Sequence, residues 1–251
     1  MSATLFLIAS ILVLAGFVKG VFGMGLPTVS MGLLGLVMTP VQAATLLVVP
    51  TLLSNVWQLA AGPNVKGLLR RFATLMISMS VGTVLTIGFL TSSSPTVSLA
   101  LGSALFVYGC FGLLSARIAI SRRHEWWLSP CIGLISGIVN GATGISNVPL
   151  VPYLNSLGLE RDELIQAMGL TFTASMIALS VCLAWTGHLQ FASAGVSALT
   201  LIPVFAGMYV GQVIRTKMHA DVFRKWFFVG LVVLGGYVAI RALIQTPIQF
   251  D

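Results

Sequence analysis

The chain has 251 residues, 57% of them hydrophobic and 8% charged, with a formal net charge of +7. A soluble domain carries roughly 25% charged residues, so this composition excludes a water-covered globule and points to an integral membrane protein whose length counts helices. Its pI near 9.8 is no sign of nucleic-acid binding, because the basic residues sit mostly in short segments between apolar runs, where they act as topology signals.

About 20 apolar residues at 1.5 Å rise cross a bilayer. The first run, 4–22, has no positive residue before it and no clear small-residue cleavage site, so it is taken as part of the mature protein rather than as a signal peptide. It leads into a glycine-rich break over 16–27 (Gly-Phe-Val-Lys-Gly-Val-Phe-Gly-Met-Gly-Leu-Pro) and a short run over 28–38. Spanning helices are predicted over 41–61, 72–91 and 96–116. The order then repeats, with a run over 127–139 and a break over 137–149 (Gly-Ile-Val-Asn-Gly-Ala-Thr-Gly-Ile-Ser-Asn-Val-Pro). A short run over 145–158 follows, then spanning helices over 164–186, 191–214 and 226–244. The predicted fold is an all-α polytopic membrane protein of two repeats, 1–125 and 126–251, in one membrane domain. Each repeat is a broken helical hairpin plus three spanning helices. Gly-broken helices at matching places in two halves point to a transporter's binding site.

Charge sets the orientation. Lys66, Arg70 and Arg71 share one connection, Arg117, Arg122 and Arg123 a second, Arg161 a third, and Arg215, Lys217, Arg224 and Lys225 a fourth. An even number of crossings separates these segments, so eleven of the thirteen Lys and Arg fall on one side, leaving Lys19 and Arg241. The positive-inside rule makes that side cytoplasmic. Loops 91–96 and 187–190, free of charged residues, and both termini come out external. Each repeat has an odd number of elements, so the halves are inverted relative to each other. The shorter arms of 11 to 14 residues reach about 17–21 Å, which favours half-crossings, with a tilt assumed for 4–22. Two hairpins entering from opposite faces would then meet tip to tip near the midplane.

A helix beginning inside the membrane offers free N–H groups and a positive dipole end, which together bind anions. The first short run begins after Gly23 and Gly25 with Pro27 in its first turn. The second follows Asn140, Gly141, Thr143 and Gly144, with Thr143 a candidate cap and Ser146 and Asn147 as side-chain donors. Lys19 lies deep in its apolar run, where a charge costs about 3 kcal/mol or more; it is read as a counter-ion for an anion or as a side chain snorkelling to an interface. Gln42 and Gln166 open the helices after each broken pair, in symmetric site roles or as interfacial caps. Gly16 and Gly20, like Gly133 and Gly137, are spaced four apart and read as close-packing positions. Asn55, Thr171, Thr173 and Ser175 are read as satisfied by neighbouring helices, and Trp57 and Trp185 as interfacial belt residues.

Every carboxylate (Glu125, Glu160, Asp162, Glu163, Asp221, Asp251) is expected in a loop or the tail, which leaves none at membrane depth for a proton relay or sodium site. Cys110, Cys131 and Cys182, all in apolar segments without a CxxC spacing, suggest neither disulfides nor zinc and are expected to be buried and inert. No cofactor, metal or nucleic acid is expected; the partners are a small anion and membrane lipid, with assembly into homo-oligomers left open. An intramembrane enzyme is disfavoured because HExxH and G-x-S-x-G are missing, and His124, His188 and His219 are loop residues. An aquaporin-like channel would carry Asn-Pro-Ala at both tips, and only Asn147, Val148 and Pro149 come near it.

The glycine pattern Gly16, Gly20, Gly23, Gly25 and its counterpart Gly133, Gly137, Gly141 with Pro149 resemble the TauE/SafE sulfite-exporter family of bacterial membrane transporters over nearly the whole chain. Leu26 and Pro27, and Ala142, Thr143 and Gly144, stand where that family has a fuller glycine run. The resemblance implies a secondary transporter in the bacterial cytoplasmic membrane that exports sulfite or organosulfonates such as sulfoacetate, with anion import or a channel as alternatives.

Overall fold

The computed structural model describes residues 2–62, 64–92, 94–114, 119–189, 197–215 and 220–245. The first half contains α1 (Ser2–Phe22), α2 (Leu26–Leu34), α3 (Pro40–Ala60), α4 (Val65–Arg71), α5 (Ala73–Leu90) and α6 (Pro95–Leu114). The second contains α7 (Glu125–Thr143), α8 (Asn147–Ser156), α9 (Arg161–Trp185), α10 (Leu201–Arg215) and α11 (Ala220–Gln245), with a 3-10 turn at Arg122–His124 before α7. Among the described residues seven helices are long and apolar enough to cross a membrane: α1, α3, α5, α6, α9, α11, and α10 together with the residues from Ser197. Arg117, Lys217, His219 and Asp251, the ends of the predicted runs 96–116 and 191–214, and parts of both uncharged loops lie outside the described residues.

The hairpins differ from the expected pair of half-crossings. α1 is one helix of 21 residues, about 31 Å at helical rise, so no half-crossing is needed there. The run expected over 127–139 is a helix of 19 residues, about 28 Å long. It extends because Gly133, Gly137 and Gly141 do not break it: they lie inside α7, against α5, where an added methyl would overlap Leu75, Met79 and Thr83 backbone. Only the returning arms are short, nine residues in α2 and ten in α8.

The same packing recurs across the halves. α1 lies parallel to α10, with Gly16 and Gly20 against Val204 and Met208, and Gly207 and Gly211 against Val13 and Phe17. α7 lies parallel to α5 in the corresponding way, while α3 pairs with α9 and α6 with α11. Small residues let helix backbones touch where lipid supplies no hydrophobic drive to associate. The paired glycines expected to be packing positions are therefore that.

Helix α3 starts with Pro40 and a reciprocal cap, in which Gln42 N–H donates to Thr39 Oγ1 (3.4 Å) and Thr39 N–H to Gln42 Oε1 (3.1 Å). Inside α3, Pro50 has no N–H to offer Leu46. The hydroxyl of buried Ser197, from the segment before α10, donates to the Leu46 carbonyl instead (2.7 Å). This is how a broken bond is made good inside a membrane.

The basic segments gather at one end of the molecule. The first is not a loop but α4, capped by Asn64 Oδ1, which accepts from Gly67 N–H (3.1 Å), with Arg70 and Arg71 at its C-terminal turn. Arg71 grips Glu125 through two bonds of 2.8 and 2.7 Å, and Glu125 holds its guanidinium above the ordinary range. Ile120 N–H donates to Ser156 carbonyl (2.9 Å), and Arg215 lies in the field of Arg161 and Asp162. Glu125, Asp162 and Glu163, expected in loops, open α7 and α9, where they complement the helix dipole. Asp221 likewise falls within α11. Trp57, Trp126 and Trp226 are exposed near this end and Trp185 at the other, as aromatic belts require. Arg241 donates to the Leu36 carbonyl (3.2 Å) just past α2. Cys182 is buried, but Cys110 is only half-buried and Cys131 exposed on α7, which corrects the reading of three buried thiols.

Candidate functional site

The first break is the bend Gly23-Met24-Gly25. Gly23 has φ 76° and Gly25, the N-cap of α2, φ 99°, a left-handed backbone that a side chain would resist. Pro27 follows in the first turn of α2, as the sequence suggests. The second break is Gly144 to Ser146. Gly144 has φ 74° and ends α7, and Val148 departs from helical geometry before α8 settles.

Helix α3 measures the distance between the two. At Gly23 an added Cβ would meet the Gln58 amide and Ile165; at Gly144 it would meet Met31 and Ala44. Ala44 and Gln58 are fourteen residues apart on one helix, about 21 Å. The backbones of the two breaks therefore sit toward opposite ends of the bundle and do not meet at the midplane. The long first arms carry each break past the middle.

The expected site residues accordingly form two groups. At the first break, Lys19 is 2% exposed, and its Nζ donates to Asn55 Oδ1. It does not snorkel, and among the described residues no carboxylate pairs with it. Asn55 Nδ2 and the Thr51 hydroxyl one turn away are buried without hydrogen-bond partners, as are the Thr28 and Ser30 hydroxyls on α2. Gln166 belongs near this group but serves the frame: its Nε2 donates to Leu59 carbonyl and its Oε1 accepts from Asn64 N–H, both 2.9 Å. Gln58 returns a bond to Ile165 carbonyl (2.7 Å).

At the second break, Asn140 Nδ2 donates to Thr83 Oγ1 (3.2 Å) and Ser175 carbonyl (3.4 Å). Thr143 does not cap α8; its hydroxyl donates to Val139 carbonyl and accepts from Ile145 N–H, closing the end of α7. Ser146 takes the N-cap position of α8 without a side-chain bond, and Gly141 packs on α5. Asn147 is 1% exposed, and neither amide atom has a partner. Gln42 is exposed and occupied in capping α3, so it joins neither group and is not the symmetric counterpart of buried Gln166.

A cavity of about 890 Å³ opens at the basic end, with Arg161, Arg215 and Arg224 on its wall. Phe22, Phe228 and Met168 also line it, together with Met24 of the first break, Pro149 beyond the second, and Tyr108. Lys19 stands one turn behind Phe22 and does not line it. The sequence reading missed Tyr108, although a phenol midway along an apolar run needs a partner and so was a visible signal. The gathering of the arginines around one cavity was not visible, since it depends on how two connections distant in sequence converge. Among the described residues no cluster of His, Cys, Asp or Glu could hold a metal ion.

The family model described as Sulfite exporter TauE/SafE matches residues 8–238. Neither a curated protein nor a solved structure matches the chain significantly.

Proposed function

The chain belongs to the sulfite exporter TauE/SafE family and is a multi-pass membrane transporter, and on that premise we propose that it carries a small sulfur oxyanion, sulfite or an organosulfonate such as sulfoacetate, out of the cell. The observation that carries this reading is the cavity, with arginines on its wall together with Met24 of the first break and Pro149 just beyond the second. By the positive-inside rule the basic end is read as cytoplasmic and the termini as external, and the membrane is read as the bacterial inner membrane, as the resemblance implies. The cavity is then an inward-facing entrance in which arginine raises the local anion concentration.

Lys19 supports an anionic cargo, because a buried ammonium whose partner among the described residues is a neutral amide gains most from a passing negative charge. The exchange of partners between halves (α1 on α10, α7 on α5) supports inverted repeats 1–125 and 126–251 that rock against one another. An inside-negative potential drives a monovalent anion outward with about 2.3 kcal/mol per 100 mV, roughly a fifty-fold gradient per charge.

The test is flux of sulfite, sulfoacetate, taurine and sulfate from proteoliposomes under imposed potentials and pH gradients. Saturable movement of sulfite or a sulfonate, accelerated by a potential that expels anions, is the expected result. No flux above that of empty vesicles overturns the reading, and flux that never saturates replaces it with a channel.

A further inference from the structure

Resting on that transport reading, we propose that Tyr108, on the cavity wall, and Asn147, behind it and not itself on that wall, form the contact for the substrate's oxyanion. Breaks 21 Å apart along α3 cannot both touch one small anion with their backbones, so side chains must supply the contact between them.

Two groups stand there. Tyr108, on α6, lines the cavity, yet its residue surface is only 1% exposed. Its hydroxyl donates at 3.5 Å to the Met24 thioether, a weak acceptor. From the other side the Asn147 side chain faces the same hydroxyl, but neither its Nδ2 nor its Oδ1 attains hydrogen-bond geometry. A buried primary amide with nothing to bond is costly and rare.

One oxyanion would remedy both defects. A sulfite or sulfonate oxygen would accept from the Tyr108 hydroxyl in place of the Met24 sulfur, and a second oxygen would accept from Asn147 Nδ2. Bonds to a charged acceptor are shorter and roughly twice as strong as neutral ones. Met24 belongs to the first break and Asn147 follows the second, so the bound anion would touch both halves at once. The apolar sides offered by Phe22, Phe228 and Met168 leave the sulfur oxygens these two donors and room for an organic body behind them.

The experiment uses the full-length purified chain with sulfite and methanesulfonate as probes, reading affinity, flux KM and ligand-free melting temperature for Tyr108→Phe and Asn147→Ala. Both variants are expected to weaken probe affinity about tenfold or more, the loss that follows from removing one hydrogen bond to a charged group. Asn147→Ala is also expected to raise the ligand-free melting temperature, because it removes an unsatisfied buried amide. A residue that only supports the fold would lower that temperature, so this sign separates binding from structure. Wild-type flux with both variants within twofold of wild-type affinity overturns the assignment and leaves the transport reading standing. If the wild type neither binds nor moves either probe, both fall together.

Discussion

The two breaks are built from the same device and end up in different surroundings. The first carries a buried cation, two left-handed glycines and unpartnered hydroxyls, and the cavity reaches its Met24. The second carries one left-handed glycine, a threonine that staples its own helix end, and a neutral network of Asn140, Thr83 and Ser175. None of the residues from Asn140 to Asn147 lines the cavity. Equivalent elements of the two halves thus sit in unequal environments, one approached from the basic end and one sealed. Under the proposed transport reading, this is the asymmetry of a carrier facing one side, and exchanging the two environments would be its transport step.

The sharpest way to break this comparison is at Asn55. Asn55→Leu leaves the Lys19 ammonium buried without its acceptor, and a loss of about 3–5 kcal/mol in stability is expected, measured by denaturant unfolding in mixed micelles. Adding Lys19→Met is expected to restore most of that stability without restoring sulfite flux. Recovery of both would reduce Lys19 to a structural residue.

A smaller effect is expected where a glycine packs rather than bends. Gly137→Val pushes a side chain into the Met79 backbone and should cost about 1–3 kcal/mol or somewhat more, read as a lower melting temperature, with the KM for sulfite little changed in what remains folded. A raised KM at unchanged stability would move Gly137 from packing to binding.

Smallest of all is Gln42→Ala. Its cap on α3 is exposed, so a loss of about 1 kcal/mol or less is expected, with no change in flux. A clear flux defect would bring Gln42 into the site and restore its symmetry with Gln166.

Much of the architecture was legible because membrane composition leaves few choices. Runs of twenty apolar residues had to be helices, and the positions of Arg70, Arg161 and Arg215 placed their connections on one side. The extent of α7 was hidden because glycine has two uses. Gly133, Gly137 and Gly141 look like breaks in sequence, yet they serve close packing on α5, and only the partner helix decides between the two. The distance between the breaks was hidden for the same reason: longer first arms carry the tips past each other. Individual roles were least legible where a polar residue could cap or bind, as Gln42, Thr143 and Gln166 show. Tyr108 came from a helix that carried no motif.

The most direct test is paired cysteine labelling in a background without the three native cysteines, using a membrane-impermeant thiol reagent applied from either side. Asn155→Cys, on the cavity wall, is expected to react from the basic side at rest, while Ser146→Cys at the sealed break stays protected. During sulfite turnover, Ser146→Cys should become reactive from the opposite side as Asn155→Cys slows. Simultaneous labelling of both positions from the basic side, unchanged by sulfite, would contradict the exchange of environments and leave a continuous pore.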